Sequence, residues 1–233
     1  TINSELIYAD DLDKKIDADL LVFISRHSAK EERKNLTVHV TGNFGKADLG
    51  GKEKTLCIAP SAYMKNILIE LNKNSQNSEF EATMEATHHG PFLEKSILFV
   101  EIGSSEEEWA DKKAGNIIAR SLISTLKNDS NKNNSKIDNN LINKNNNGMI
   151  NNKSMEKINK NNDNYESIFV IGGTHYNHIA NKVMLKTNLA AGHICAKYNL
   201  ENLNFGLIKE AMEKTVPKAR FVLLDWKGVG KEK

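Results

Sequence analysis

Short apolar runs recur along the chain, and amphipathic stretches lie between them. Leu20 to Ile24 (LLVFI), Ser96 to Ile102, Ser167 to Ile171 (SIFVI) and Phe221 to Leu224 (FVLL) are nearly continuous apolar runs of strand length. Such runs predict strands buried on both faces. Leu36 to Thr41 (LTVHVT) alternates with a period of two, with His39 inside it and Gly42-Asn43 as a turn after it. Leu56 to Ala59 predicts a further short strand. Read as a strand, Phe80 to His89 separates into two faces. Phe80, Ala82, Met84, Ala86 and His88 fall on one, and Glu81, Thr83, Glu85, Thr87 and His89 on the other. Gly90-Pro91 stops it, because proline lacks a backbone donor.

Helical spacing appears in Tyr63, Met64, Ile67, Leu68 and Leu71, with Pro60 suited to a first turn. A longer helix is predicted from Ser105, where SEEE fits a capping box and Trp109, Ala110, Ala114, Ile117, Ile118, Leu122 and Leu126 form the apolar side. Phe205 to Met212 predicts a third. Alternating strands and helices give the expected fold class: α/β, a mostly parallel sheet with helices on both faces, in one domain spanning residues 1–233. Residues 127–164 interrupt it. This segment is dominated by Asn, Lys, Ser and Asp and is too polar to offset its ordering entropy, so it is expected to be a disordered or weakly ordered insertion.

Composition narrows the function classes. The formal net charge of +2 over 233 residues requires any polyanion to be held by a local patch. Residues 174–233 supply one, with nine lysines and one arginine against five acids, and with Tyr176, Tyr198, Phe205 and Trp226 available to stack on bases. A solvated lysine-rich surface would have the same composition. Cys57 and Cys195 form no Cys-x-x-Cys and read as buried free thiols of a reducing compartment. No apolar run reaches the roughly 20 residues that span a bilayer, and no signal peptide is visible. A cytoplasmic protein that does not engage membranes is expected. The sequence opens at Thr1 rather than Met, which is consistent with a start further upstream.

Candidate chemistry gathers at the ends of the predicted strands: Arg26 and His27, His88 and His89, Glu101, His175 and His178, and Asp225. In a parallel α/β sheet, ligands bind beyond the carboxyl ends of the strands, so these residues are expected to meet in one pocket on one rim. Glu85 and His89 share a polar face. His175 and His178 are three apart, a spacing that places both on one side of a helix. Each residue also has a structural reading. His39 reads as a hydrogen-bonded sheet histidine, His88 as a satisfied core histidine, His193 as a turn residue, and Glu101 as the partner of a lysine. Zinc held by His and Glu could generate hydroxide from water near neutral pH. Alternatively, a neutral His oriented by Glu could act as general base. Amides near Gly172-Gly173 are expected to stabilise an oxyanion. No nucleophile elbow occurs, and neither cysteine adjoins a histidine.

The strings SRH (25–27), TGN (41–43), EATHHGP (85–91), FVEIGS (99–104), GGTHYNH (172–178), AGH (191–193) and DWKG (225–228), taken in order, resemble the archaeal and plant type of D-aminoacyl-tRNA deacylase. The resemblance covers nearly all of the chain outside the Asn-rich segment. It implies a hydrolase that cleaves the ester between a D-amino acid and the 3′ end of tRNA. It also implies zinc, two ions per chain, and a fold related to peptidyl-tRNA hydrolases and nucleoside phosphorylases. Carried over by motif, the site is Glu85, His88, His89, Glu101, His175 and His178, followed by His27 and His193. Within this set His89, His175, Glu85 and Glu101 are expected to be catalytic, and His88, His89, His175 and His178 to bind metal. Arg26, His27, Gly172, Gly173, Tyr176 and His193 are expected to contact substrate. The implied partners are aminoacylated tRNA and the free D-amino acid product, with the enzyme as a monomer. Two other readings are a zinc-dependent amidase or peptidase acting on a small substrate, and a non-catalytic RNA-binding module with structural histidines.

Overall fold

The computed structural model describes residues 5–29, 33–137 and 164–229. Its main sheet has four strands in the order β1 (Leu20–Arg26), β7 (Ser96–Gly103), β2 (Asn35–His39) and β6 (Glu81–Met84). β1 pairs parallel with β7, and β2 parallel with β6, but β2 runs antiparallel to β7. A second sheet, wholly parallel, places β8 (Glu166–Ile171) between β9 (Leu189–Cys195) and β11 (Phe221–Leu224). Two short pairs complete the strands among the described residues: β3 (Gly42–Asn43) antiparallel to β4 (Thr55–Leu56), and β5 (Ala59–Pro60) parallel to β10 (Thr215–Val216). The architecture is therefore mixed α/β with mostly parallel pairing, as the apolar runs predict. The antiparallel contact inside the main sheet was not expected, and it changes where the site lies.

Helix α1 (Ser61–Asn74) packs on β2, β6 and β9. Its stripe Met64, Ile67, Leu68 and Leu71 is buried in one core with Leu36, Val38, Ala82, Met84, Leu98 and Val100. Each such side chain contributes about 1.5–3 kcal/mol by leaving water. The helix predicted from Ser105 is two helices. α2 (Glu106–Trp109) carries the capping box, in which the Ser105 hydroxyl caps the N3 amide and Glu108 reaches back to the Ser105 amide at 2.9 Å. Asp111 then starts α3 (Lys112–Ile137) by accepting the Lys113 amide at 2.6 Å. α3 continues through Ile137, past residue 127, where an insertion of little order was expected to begin. Residues 138–163 of that segment lie outside the described residues. α4 (His178–Lys186) and α5 (Phe205–Glu213) pack against β9.

The strand predicted to reach His89 ends at Met84. Beyond it the Ala86 amide donates to His175 O at 2.8 Å and the Thr87 amide to Ile194 O at 2.9 Å, so the chain crosses from the first sheet to the loops of the second. His193, read from sequence as a turn residue, lies within β9. β11 is an edge strand, and Phe221, Val222 and Leu224 are more than two-fifths exposed. No helix among the described residues is long and apolar enough to cross a membrane.

Candidate active site

The antiparallel register of β2 and β7 sets Thr37 opposite Glu101 and His39 opposite Phe99, while β1 sets Ser25 opposite Glu101. Because side chains alternate along strands, Ser25, Thr37, His39, Phe99 and Glu101 share one face of the sheet. Val38 pairs with Met84, so Glu85 comes level with His39 on that same face. The polar cluster thus lies on a sheet face. The rim expected from parallel strands is corrected by the reversed direction of β2.

Glu85 is fully buried at the centre. Its Oε1 lies 3.3 Å from His27 Nδ1, and its Oε2 lies 3.7 Å from Nε2 of both His39 and His175 and 3.9 Å from His88 Nε2. Glu101 Oε2 stands 3.4 Å from His27 Nδ1 and 3.5 Å from His39 Nε2. The His89 ring closes the group against those of His88 and His39, with centroids 4.3 and 4.9 Å apart. His89 reaches this position because its backbone takes a left-handed φ of 46°, held by the Gly42 amide on His89 O at 2.9 Å. A non-glycine residue is uncommon there.

His175 comes from the loop between β8 and α4. Asn177 fixes that loop: its side chain caps α4 by accepting the Ala180 amide at 3.0 Å and donates to Gly172 O at 2.9 Å, while its own amide donates to Met84 O at 2.9 Å. Tyr176 packs edge-on against the His27 and His175 rings. Trp109 donates through Nε1 to His27 O at 2.8 Å and lies beneath the Arg26 guanidinium at 4.8 Å, which ties β1's end to α2.

Electrostatics divide the group. Burial would raise the Glu101 carboxyl, but His27 and His39 outweigh it and hold the group well below the usual carboxylate range. Burial pushes Glu85 up. Burial would lower His27 and His39, yet the two carboxylates raise both above the ordinary histidine value. Burial, with the neighbouring imidazoles adding to it, holds His88 well below the ordinary histidine value and lowers His89 and His175 to about 4.

This donor set could hold a metal ion. The His39 Nε2 atom and both Glu85 oxygens are buried without a hydrogen-bond partner, a costly arrangement for groups that lack a ligand. Zinc bonds of about 2.0–2.2 Å set neighbouring tetrahedral donors roughly 3.3–3.6 Å apart. The carboxylate-to-imidazole separations cluster near that spacing and are too long for good hydrogen bonds. Three overlapping groups could hold a cation, each with ligand atoms within 4.8 Å of one another: His27, Glu85, His88 and His175; His39, His88 and His89; and His39, Glu85 and Glu101. His39, His88 and His89 each turn Nδ1 toward a backbone carbonyl, of Val40, Ala86 and Gly90 respectively. That leaves Nε2 as the atom of each ring that could take a metal, the arrangement that second-shell carbonyls impose on metal-binding histidines.

Of the residues singled out from sequence, His27, Glu85, His88, His89, Glu101 and His175 converge, with Tyr176 beside them and Arg26 at their edge. His178 does not join them. It is exposed at the start of α4 and lines a separate cavity of about 210 Å³ with Gly173, Thr174, Lys197, Asp225, Lys227 and others. His193 is fully buried against Thr87, its Nδ1 3.3 Å from Thr87 Oγ1, and burial drops it to about 3. Gly172 and Gly173 do not offer the expected oxyanion donors, because their amides are engaged with Cys195 O at 2.8 Å and Gly228 O at 3.4 Å. Sequence reasoning missed His39. The signal was present in Asn35, Thr37 and His39, polar residues at every second position of a strand that is buried throughout.

Comparison with known proteins points to one family. The family model for D-aminoacyl-tRNA deacylase matches residues 14–233. The D-aminoacyl-tRNA deacylase of Thermococcus kodakarensis is 36% identical over 98% of this chain and 74% of its own length. That of Archaeoglobus fulgidus is 35% identical over 96% of this chain and 70% of its own length. A crystal structure of a conserved protein of unknown function superposes with a TM-score of 0.78 at 33% identity, over 98% of this chain and 71% of that one. With a matching family model over nearly the whole chain and relatives of this identity, the chain belongs to the D-aminoacyl-tRNA deacylase family.

Proposed function

We propose that the protein hydrolyses the ester linking a D-amino acid to the 3′ end of tRNA, releasing the free D-amino acid and the tRNA. Family membership supports the reaction class. The observation that carries the reading to particular residues is the convergence of five histidines and two glutamates on one sheet face, with Glu85 at their centre. A non-catalytic RNA-binding module has no use for buried carboxylate oxygens without partners. A small-substrate amidase is not favoured by the relatives.

His39, His88, His89 and Glu85 are the residues that would hold zinc, and His27 and His175 stand beside them at the open side. Bound there, zinc would supply a Lewis acid and a water acidic enough to ionise near neutral pH. The side chains do the remainder. The Glu101 carboxylate keeps His27 and His39 in register. His175, about 30% exposed where His39 is fully buried, meets the incoming ester. Because burial keeps its imidazole neutral, His175 can take a proton from the attacking water and return it to the departing ribose oxygen. A bond forms from water oxygen to the carbonyl carbon, and the bond from that carbon to the ribose oxygen breaks.

The test is deacylation of D- and L-aminoacyl-tRNA carrying the same amino acid, with and without a chelator. Release of the D-amino acid alone, lost on chelation and restored by zinc, is expected. Equal release of both enantiomers, or of neither, overturns the reading.

A further inference from the structure

Among the histidines of the cluster, His175 is held differently. His39, His88 and His89 point Nδ1 at main-chain carbonyls, which can only accept a proton, and His27 points Nδ1 at the two carboxylates. His175 Nδ1 instead lies 3.0 Å from the hydroxyl of Tyr198. A phenol oxygen can accept or donate, so this contact alone does not impose a tautomer as a carbonyl does.

The surroundings of Tyr198 favour one direction. Tyr198 is half exposed, so its own O–H can be given to water while a lone pair faces the imidazole. On the other side of the ring, His175 Nε2 faces Glu85 Oε2 at 3.7 Å, in the same position as Nε2 of His39 and His88. A ring that serves there as a proton acceptor or ligand needs its hydrogen on Nδ1. The fold also keeps the two side chains in register. Tyr198 stands in the 3-10 turn Lys197–Asn202 directly after β9. The Lys197 amide donates to Gly173 O at 2.9 Å and the Gly172 amide to Cys195 O at 2.8 Å, which joins the loop bearing Tyr198 to the loop bearing His175. A phenol of ordinary acidity remains a hydroxyl at working pH.

We propose that Tyr198 is the positioning residue for His175: its hydroxyl oxygen accepts the Nδ1 proton, fixing the ring with a bare Nε2 facing Glu85 at the open side of the site. The kinetic consequence rests on the hydrolase reading above, whereas the tautomer itself does not.

The experiment uses the full chain with Tyr198→Phe, which keeps the ring and removes only the oxygen. Loss of an outer partner of this kind typically costs 10–100-fold. We expect kcat on D-aminoacyl-tRNA to fall by roughly that factor while KM stays within about two-fold. In metal-free protein, imidazole nitrogen-15 shifts should place the His175 proton on Nδ1 in the wild type and divide it between both nitrogens in the variant, with the other cluster histidines unmoved. Unchanged His175 shifts in the variant overturn the proposal, and so does a general displacement of all the cluster histidines, which would mark Tyr198 as scaffold. If the wild type cleaves no D-aminoacyl ester, the hydrolase reading fails, and the nitrogen shifts still decide the role of Tyr198.

Discussion

Glu101 Oε2 lies 3.5 Å from His39 Nε2 across the antiparallel pairing of β7 and β2, and the same oxygen lies 3.4 Å from His27 Nδ1. One buried carboxylate thus balances two imidazoles. Glu101→Gln preserves the shape and removes the charge. Both histidines should then titrate at lower pH, because burial would act on them unopposed by Glu101. Turnover should fall at least roughly 100-fold, in line with removing a group that fixes reacting residues, while the circular dichroism stays native. A variant with wild-type turnover and unshifted His39 titration would show that Glu101 is a bystander.

Stability of the metal-free protein should depend on pH in a direction the cluster fixes. His88, His89, His175 and His193 are held below the ordinary histidine value, the latter three at about 4, 4 and 3. They contribute stability that is present above the unfolded value near 6.5 and is lost as pH falls toward 4. His27 and His39 are raised, so their contribution is complete below about 6.5 and is lost only as pH rises through their folded values. Between about 6.5 and 4 the raised Glu85 carboxyl acts in the opposite sense, taking up a proton in the folded chain, but four lowered histidines outnumber it and decide the sign, since the unfolded chain takes up protons that they refuse. The urea midpoint of chelator-treated protein should drop from pH 6.5 to pH 4.5. A flat or rising midpoint would mean that these rings are not buried neutral in solution.

The sequence pattern carried most of this fold. The apolar runs at Leu20, Ser96 and Ser167 became β1, β7 and β8, and the stripe from Met64 to Leu71 became the buried side of α1. The pattern could not give strand direction, since a buried strand reads alike either way. Reversal of β2 moved the site from a rim to a face and brought in His39. The reading of Phe80 to His89 as one strand failed at Ala86, whose amide leaves the sheet for His175 O. Once the period of two is broken, His88 and Glu85 come within 3.9 Å although strict alternation puts them on opposite sides. His175 and His178 look paired by helical spacing, yet α4 begins at His178 with Asn177 as its cap, so His175 precedes the helix and the spacing rule does not reach it.

Lys65 tests the packing behind the site. It is 2% exposed on α1, and its Nζ donates to Thr187 O at 2.5 Å and Leu189 O at 2.8 Å, beneath the Tyr165 ring at 4.5 Å. These contacts join α1 to the end of α4 and the start of β9. Lys65→Ala leaves two carbonyls without their donor and should destabilise the protein by about 3 kcal/mol, measured by urea unfolding. Lys65→Met refills the volume without the donor and should recover part of that loss. Equal stability of all three proteins would show that the ammonium contributes nothing.

His89 and His178 are predicted to behave in opposite ways, and the contrast separates the geometry from the motif. Both stand in strings on which the sequence resemblance rests, and both carry an imidazole. His89 is buried, held at φ 46° with its ring against His39 and His88, while His178 is exposed at the first turn of α4 and absent from every group of potential ligands among the described residues. His89→Ala should reduce turnover by at least roughly 100-fold and lower the amount of zinc retained through gel filtration, because it removes a donor from the enclosed group. His178→Ala should leave kcat/KM within about two-fold and zinc content unchanged, as expected of a surface substitution away from the reacting atoms. If His178→Ala loses its metal while His89→Ala keeps it, the ligand set is centred on the loop before α4 and the arrangement around Glu85 is structural.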